Sequence, residues 1–387
     1  MQRLATLTGQ SALMLALLTP LAVQAVDQTL DERVSALEDL RISGSVRLNY
    51  TVQDWNDAQT DRGGDFRFNA LTLGIDTLHR AVRLSAQYRW YDAANGAMVH
   101  HAYFATDLTE QTEIQVGITK VPFGILPYES HSYWSDASLY LGFNDDYDSG
   151  VKVLTKAGRW DLQAAYFASG DASPTDPQRF SFDVVSDTNN GPQQNQETHQ
   201  LNLRAAYALQ ERAEAGVSVQ YGGLYNQTTR GMGSVAAAAL HYTASYGRFG
   251  VETQLMRYIY SAENPAGVSR SSVQLGGFGA TYLAAAKANM VVFNLSYDLP
   301  WEGGIVDQVR LYNDWNRVYK DHAGFSDSEI NTLGIMVVTG ELYTNFDITS
   351  ARNVPFIGPG DYKTAFAAGD GARGTDTFFN IQLGYYF

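Results

Sequence analysis

The sequence predicts an all-β fold, a transmembrane antiparallel β-barrel of about sixteen strands with a short N-terminal periplasmic helix. The last ten residues, 378–387, alternate apolar and polar side chains, and no glycine or proline stop follows them. The same two-residue period continues through most of the chain after Arg41. A strand that is apolar on one face and polar on the other fits a barrel wall between lipid and water. From the last segment alone, an edge strand of a soluble sandwich is also open.

Residues 1–25 have the form of a secretory signal peptide. Arg3 supplies the positive charge, residues 13–18 form an apolar core, and Val23-Gln24-Ala25 has the small-x-small form of a cleavage site. The apolar core is too short to cross about 30 Å of hydrocarbon as an anchor. No later segment holds the roughly 20 uninterrupted apolar residues of a membrane helix. We therefore expect an exported protein without a membrane helix.

Residues 26–40 have the one convincing helix pattern in the chain. An apolar stripe of Leu30, Val34, Leu37 and Leu40 is typical of a short coiled coil. A helix this short is marginal on its own. It either packs against copies of itself below a trimer or acts as a plain linker, and both interpretations are open. The barrel domain is expected over residues 41–387.

Composition narrows the classes of function. The formal net charge is −14, and non-specific binding of nucleic acid needs a basic face instead. The chain has no cysteine, and a closed barrel needs no disulfide because it has no edge strands. Its 24 tyrosines and 18 phenylalanines suit the aromatic girdles of a membrane barrel. We expect no cofactor.

The alternation divides the strand residues into a lipid-facing set and a lumen-facing set. Charges at the frequency seen here would each need a partner in a soluble core, whereas a water-filled lumen tolerates them. The predicted lumen-facing cations of the pore wall are Arg41, Arg47, Arg83, Arg89, Lys152, Arg204 and Arg310. The predicted lumen-facing acids are Glu113, Asp161, Glu252, Asp298, Asp314 and Asp347. The wall therefore carries both signs, and most single charges are expected to pair.

Connection lengths predict the orientation and the number of strands. Short turns fall at about 79–81, 108–111, 157–159, 210–213, 246–248, 300–304 and 339–341. Long polar connections fall at about 54–64, 121–147, 170–197, 261–288, 320–328 and 351–375. In such barrels the short turns are periplasmic and the long loops extracellular. A seventeenth strand-like segment, 271–285, would break this order, so we assign it to an excursion within the fifth or sixth outer loop.

Residues 117–124, Gly-Ile-Thr-Lys-Val-Pro-Phe-Gly, end one strand and open the long connection 121–147. This segment resembles the glycine, lysine and Pro-Phe-Gly signature at the same place in porins of the phosphate-selective (O/P) family. The signal peptide, the strand layout and the terminal Phe387 are similar too. The resemblance implies a homotrimer in the bacterial outer membrane, in contact with lipid and lipopolysaccharide, whose third loop folds inward. It also implies that Phe387 is a signal for membrane assembly.

The residues of the third loop favour the same placement. Pro122 and Gly124 stop strand pairing, and the stretch 125–147 carries six aromatic residues. A segment this apolar is expected to pack inside the barrel or, alternatively, to form an exposed trimer contact. The predicted constriction residues are Lys120, Pro122, Phe123, Gly124, Tyr128, Glu129, His131, Tyr133, Trp134 and Asp136.

The third loop departs from the family in its charge. Phosphate selectivity in the family depends on lysines on this loop and on arginines along the wall. Residues 121–147 contain no lysine or arginine but do contain Glu129, Asp136, Asp145 and Asp146. Carboxylates in a constriction of low dielectric constant would repel a phosphate dianion. Phosphate is therefore not the expected solute.

The sequence shows no catalytic or metal-binding motif such as a nucleophile elbow, a P-loop or a zinc signature. His100 and His101 are adjacent, so strand alternation predicts that they point to opposite faces and share no metal. The acids of the first outer loop suit Ca²⁺ but are expected to be solvated; they are Asp54, Asp57, Asp61 and Asp65. We expect no metal site and no enzymatic activity.

The predicted function is that of an outer-membrane porin for passive diffusion of small hydrophilic solutes, with the pore narrowed by loop 121–147. One alternative is a selective channel for sugars or for small carboxylates and other anions. A second is a plugged barrel that acts as a surface hydrolase or adhesin. For a hydrolase, His199 with Ser186 or Asp187 would supply the residues at the outer rim.

Overall fold

The computed structural model describes residues 39–387, except 95, 133–135, 172–176, 187–191, 302 and 373. The predicted signal peptide, residues 1–25, and residues 26–38 of the predicted helix lie outside the described residues. None of the helices in the described part of the chain has the length and apolar character needed to cross a bilayer.

Sixteen strands pair in one closed antiparallel barrel, which confirms the predicted fold class. In chain order they are β1 (Arg41–Gln53), β2 (Asp65–His79), β3 (Val82–Tyr91), β4 (Gly96–Thr109), β5 (Thr112–Lys120), β6 (Tyr147–Ala157), β7 (Trp160–Gly170), β9 (Asn195–Gln210), β10 (Ala213–Asn226), β11 (Met232–Tyr246), β12 (Phe249–Ser261), β15 (Lys287–Asp298), β16 (Gln308–Lys320), β17 (Ser328–Thr339), β18 (Leu342–Arg352) and β19 (Asp376–Tyr386). The barrel closes where β1 pairs with β19, from Ser45 opposite Tyr386 to Gln53 opposite Phe378.

The outer surface of the barrel is apolar, as the two-residue period predicts. On β9, Leu201 and Leu203 are exposed, while Asn202 and Arg204 are buried on the inner side. The terminal Phe387 is exposed too, and its backbone exchanges two hydrogen bonds with Gly44 at the seam. Closure satisfies the backbone of every wall strand without water, as lipid requires. A closed, even-numbered antiparallel barrel with an apolar exterior is a barrel of the bacterial outer membrane.

Seven short turns join the wall strands at one end of the barrel, here called the turn end, where the sequence places them. Eight loops join them at the other end, the loop end. These are L1 (54–64), L2 (92–95), L3 (121–146), L4 (171–194), L5 (227–231), L6 (262–286), L7 (321–327) and L8 (353–375). L1 carries the short helix α1 (Asp57–Asp61), and L3 carries α2 (Ala137–Tyr140).

L4 and L6 carry a separate three-stranded sheet, which we call the inner sheet. Its strands are β8 (Asp183–Val184), β13 (Ser272–Gly277) and β14 (Ala280–Ala285), in the order β14-β13-β8. β13 and β14 coincide with the strand-like segment 271–285, so its assignment to a loop excursion is confirmed, and the loop is the sixth. Every residue of β13 is buried.

The interior of the barrel has two unlike sides. On the apolar side, formed by β10–β12 and β15, inward residues pack against L3, L8 and the inner sheet; they include Leu224, Val235, Met256, Tyr258, Tyr260, Met290 and Val292. On the polar side, formed by β1–β3, the buried inward residues include Ser45, Arg47, Thr72 and Ser85. The expectation of a water-filled lumen all round is therefore wrong for the apolar side, because folded loops take the place of water there.

Candidate functional site

L3 leaves β5 after Lys120 and crosses the interior of the barrel. The chain turns at Gly124, whose positive φ of 61° favours glycine. A Cβ on Gly124 would lie 2.1 Å from Oε1 of Gln254, so a larger residue would displace the side chain to which L3 is bonded. The Gly124 N–H donates to Ser218 Oγ of β10 at 3.0 Å, and the Ile125 N–H donates to Gln254 Oε1 at 3.0 Å. These bonds hold L3 against the wall opposite its own strands.

Two buried acids fix the middle of L3. Glu129 Oε2 accepts from Gln254 Nε2 at 2.6 Å, and its other oxygen accepts from the Ser138 hydroxyl. Asp136 caps α2 by accepting from the Ser138 N–H at 2.7 Å. Burial, reinforced by the Asp136 carboxylate, raises the pKa of Glu129 well above its ordinary value, and burial raises the pKa of Asp136 to about 6. Both acids are structural parts of L3, because each is only 1 % exposed.

His131 anchors L3 to β16. Its N–H donates to Asp314 Oδ2 at 2.7 Å, and its ring Nδ1 lies 2.7 Å from Asp314 Oδ1. The His131 ring also stacks on Tyr312, with ring centroids 5.3 Å apart. Burial opposes the charged ring, but the hydrogen bond and the charge of Asp314 outweigh it and raise the pKa of His131 above its ordinary value. The Asp314 carboxylate therefore favours the protonated form of the His131 ring.

A second ion pair closes the base of L3. Lys120 Nζ lies 2.7 Å from Asp145 Oδ1 and donates to the Pro127 carbonyl at 2.6 Å. The ammonium also lies 4.2 Å from the centre of the Tyr128 ring, a cation–π contact. Burial acts against ionisation of Asp145, but the Lys120 charge holds the pKa of Asp145 far below its ordinary value. Glu129, Asp136 and Asp145 are thus hydrogen-bonded or paired, so L3 is less repulsive to anions than its composition suggests.

A cavity of about 670 Å³ remains between L3 and the polar side, and we call it the passage. Arg47 of β1 and Arg89 of β3 line one flank, and Tyr128, His131 and Asp145 of L3 line the other. The passage extends to Glu341, Tyr343 and Phe387 at the turn end. Cationic and aromatic side chains therefore line the same cavity.

Aromatic rings line the loop-end part of the passage. Tyr91 of β3 lies 4.9 Å from Phe278 of L6, centre to centre, and Phe278 lies 5.6 Å from Phe180 of L4. The Arg89 guanidinium lies 4.7 Å from the centre of the Phe180 ring. Phe278 takes a positive φ of 51° at the β13–β14 turn, a conformation that is rare for a bulky residue.

A second cavity of about 490 Å³ opens at the turn end and shares His131 with the passage. Its lining includes Arg212, Glu214, Arg248, Asp298 and Arg310. Arg310 Nε lies 2.7 Å from Asp298 Oδ1. Side chains of both charge signs thus line this second cavity, as the sequence predicts for the pore wall.

The structure separates the predicted wall cations into different settings. Arg47 and Arg89 line the passage, while Arg41 is exposed at the turn end. Lys152 is buried and donates to the Lys120 carbonyl at 2.9 Å. The others form ion pairs: Arg83 with Glu113 at 2.8 Å, Arg204 with Glu214 at 2.5 Å, and Arg310 with Asp298. Arg204 also donates to the Gly124 carbonyl at 2.8 Å, so it supports L3.

Among the predicted constriction residues, Pro122 and Phe123 are buried at the start of L3. Phe123 packs on the apolar side of the interior, and its ring centre lies 5.3 Å from that of Phe143. Tyr133 and Trp134 lie outside the described residues. The role of these residues in selectivity stays a prediction.

The prediction that His100 and His101 point to opposite faces is wrong. A β-bulge between β3 and β4 inserts one extra residue, so that Gln87 pairs with His101 and Tyr88 with Val99. Both rings therefore turn to the same side, and their Nδ1 atoms lie 2.8 Å apart.

The residues considered for a hydrolase lie in unlike surroundings. His199 is exposed, with its Nδ1 2.6 Å from the Tyr166 hydroxyl. Ser186 is fully buried and donates to the Asn195 carbonyl at 2.8 Å. Asp187 lies outside the described residues.

The sequence-based reasoning missed the apolar side of the interior. Its signal is present in β12 and β15, where Met256 and Tyr258 alternate with Leu255 and where Met290 to Phe293 form a continuous apolar run. Strands that are apolar on both faces are typically buried on both faces. The pattern indicates loops packed inside the barrel at this wall.

The fold has clear relatives among solved structures. The channel DcaP of Acinetobacter baumannii superposes with a TM-score of 0.58 at 11% identity over 90% of this chain and 97% of that one. The anion-selective porin from Comamonas acidovorans superposes with a TM-score of 0.54 at 13% identity, over 90% of this chain and 99% of that one. The trimer form of OmpT, an outer membrane protein of Vibrio cholerae, superposes with a TM-score of 0.56 at 10% identity, over 90% of this chain and 99% of that one. No protein-family model and no curated protein matches the sequence. The chain thus has the fold of outer-membrane porins, and the resemblance to the phosphate-selective family stays a prediction.

Proposed function

We propose that this chain is a passive outer-membrane channel for small hydrophilic solutes, with L3 as its constriction. The observation that carries the proposal is the placement of L3, which is hydrogen-bonded to β10, β12 and β16 across the lumen. Solutes then move through the passage along the polar side. A channel of this kind needs no catalytic group, and we propose that the chain is not an enzyme.

We further propose that the channel is a homotrimer in contact with lipid and lipopolysaccharide. The trimer form of OmpT among its structural neighbours supports this assembly. The exposed apolar belt supports lipid contact around the rest of the surface.

Planar-bilayer recording of the refolded mature protein tests the channel. We expect discrete conductance steps, in groups of three if the channel is a trimer. A barrel that inserts and gives no steps in salt solution would contradict the proposal. That result would favour the plugged barrel, the third function considered from the sequence.

A preference for small carboxylates and other anions is the second candidate function. Arg89 reaches the passage beside a cluster of aromatic rings, with hydrogen bonds to Gln87 at 2.5 Å and to the Tyr91 hydroxyl at 3.2 Å. A guanidinium donates to a carboxylate through two parallel N–H groups, and aromatic walls favour solutes with an apolar body. The anion-selective porin among the structural neighbours agrees with this candidate.

The reversal potential under a salt gradient tests the preference. We expect Arg89→Gln to shift selectivity toward cations, because it removes a charge from the passage. Arg83→Gln on the same strand is the matched control: Arg83 is paired with Glu113 and is not part of the passage lining. An equal shift in both variants would assign selectivity to total wall charge and would exclude a specific role for Arg89.

A further inference from the structure

Five carboxylates meet below the loop end, between L3, L4 and the wall. They are Asp146 at the end of L3, Asp148 of β6, Asp171 of L4, Asp183 of β8 and Glu197 of β9. Asp146, Asp148 and Asp183 each direct an oxygen to one point, and these three oxygens lie within 4.8 Å of one another. All three side chains are buried, so solvent does not screen their mutual repulsion.

One guanidinium balances part of this charge. Arg179, itself buried, lies 2.9 Å from Asp183 Oδ2 and 3.4 Å from Asp171 Oδ1. Asp148 Oδ2 accepts from Gln200 Nε2 at 3.0 Å. These contacts leave the cluster with an excess of negative charge, which is costly in a buried site.

Three oxygens of the cluster accept no hydrogen bond from the described residues: Asp146 Oδ1, Asp148 Oδ1 and Asp171 Oδ1. Their residues are only 6%, 2% and 8% exposed, and Asp171 Oδ1 lies 3.4 Å from Arg179. Buried polar atoms in folded proteins nearly always have a partner. Oxygens that lack a donor and converge from several carboxylates are the ligands that Ca²⁺ prefers.

The backbone leaves room at this point. A Cβ on Gly170, the last residue of β7, would lie 2.9 Å from Asp183 Oδ2, 2.9 Å from Arg179 Nη1 and 3.7 Å from Asp148 Oδ1. Glycine therefore keeps open the space beside the Asp183 and Asp148 carboxylates and the Arg179 guanidinium.

We propose that Asp146, Asp148 and Asp183 bind a divalent oxygen-seeking cation of the Ca²⁺ class, with Asp171 and Glu197 at the edge of the site. The site joins three inward segments to the wall. The Asp146 carbonyl accepts from the Val121 N–H at 2.8 Å, which links both ends of L3. Asp183 belongs to β8, which pairs with β13 of L6. The bound cation holds L3, L4 and the inner sheet in the lumen.

Calcium binding to the full mature protein in detergent tests the site, by equilibrium dialysis with Ca²⁺ after removal of metals with EDTA. We expect saturable binding and a rise of several degrees in the midpoint of thermal unfolding, because a ligand of the folded state stabilises it. Asp146→Asn keeps the volume and leaves the Arg179 pairs intact. We expect it to weaken Ca²⁺ binding at least about tenfold, since affinity follows the number of charged ligands, and to abolish the thermal shift.

Two further variants separate a cation site from a cluster that shares protons. Gly170→Ala keeps every carboxylate but fills the space, and it should also lose Ca²⁺ binding. Asp61→Asn removes an exposed acid of L1 and should bind Ca²⁺ like the wild type. The proposal is overturned if Ca²⁺ gives no saturable binding and Asp146→Asn raises the unfolding midpoint in EDTA, because relief of repulsion would then be the whole effect.

Discussion

The apolar and polar sides of the interior share one outer architecture and differ only in what their inward residues touch. On the apolar side, Tyr258 and Met290 are fully buried under L3 and its neighbours. On the polar side, Ser45 and Arg47 face the passage. The outward residues of both sides are apolar. Lipid contact therefore requires apolar outward residues on both sides. The polarity of the inward residues depends on whether a loop or the passage lies against them.

The two sides also differ in how they are stabilised. Burying a large apolar side chain contributes about 1.5–3 kcal/mol relative to exposure, and this offsets the entropy lost when long loops become ordered. The polar side gains less from apolar burial, because its buried inward residues, such as Ser45 and Thr72, are polar. Loops are thus expected to dock on one side of the barrel and to leave the other open.

The largest effect on stability is expected from truncating a side chain at the centre of the apolar side. Tyr258→Ala should cost about 3–5 kcal/mol of the free energy of unfolding, the usual cost of deleting a buried aromatic ring. Urea unfolding of the refolded protein measures it. Tyr221→Ala on β10 is the matched control, because Tyr221 is 62% exposed on the outer face, and it should cost less than half as much.

Tyr258→Phe separates packing from hydrogen bonding at the same position. The Tyr258 hydroxyl is buried and has no hydrogen-bond partner among the described residues, so its removal should leave stability unchanged or slightly raised. A loss as large as that of Tyr258→Ala would show that the hydroxyl, and not the packed ring, holds the loops.

The wall of this protein could be predicted from its sequence, because lipid imposes a strict period of two on every strand. Strand number followed from the same rule once the Gly-rich segment 271–285 was assigned to a loop. The bulge at His100 could not be predicted, because one inserted residue leaves no trace in composition. The inner sheet was also missed, since a two-residue strand such as Asp183–Val184 acquires its partner only from the fold.

The interior site could be predicted only in part. Lys120 and the Pro-Phe-Gly element locate the start of L3, yet the acids of L3 were interpreted as free charges. The structure pairs Asp145 with Lys120 and hydrogen-bonds Glu129 to Gln254. Such partners lie on distant strands, so spacing along the chain does not reveal them. The same distance hid the carboxylate cluster, whose members are spread from 146 to 197.

A smaller effect is expected from single hydrogen bonds on the two sides. Ser218→Ala removes the acceptor of the Gly124 N–H and leaves a buried donor unsatisfied, at a cost of about 1–3 kcal/mol. Ser45→Ala on the polar side removes a bond of 2.8 Å to Thr72. Both residues are buried but line the passage, so a water molecule can take the place of the lost hydroxyl and the cost should stay below about 1 kcal/mol. Equal costs in urea unfolding would argue that both sides are equally dry.

The last expected effect is a dependence of loop docking on pH. Burial raises the pKa of Glu129 well above its ordinary value and that of Asp136 to about 6, so these two carboxyl groups bind more protons in the folded protein than in the unfolded chain above about pH 4. Their contribution to stability falls as pH rises through these values, by about 1.4 kcal/mol per pH unit for each proton. The raised pKa of His131 acts in the same direction, because its contribution is complete below the ordinary histidine value and is lost above the folded one.

Urea midpoints at pH 5, 6, 7 and 8, all in excess Ca²⁺, measure this slope. Glu129→Gln should flatten it, because an amide keeps the hydrogen-bonding oxygen without titrating. Glu113→Gln, at an acid of the wall that is paired with Arg83, should keep the wild-type slope. An unchanged slope in Glu129→Gln would mean that Glu129 is ionised in the folded protein, and the apolar side would then owe its dryness to packing alone.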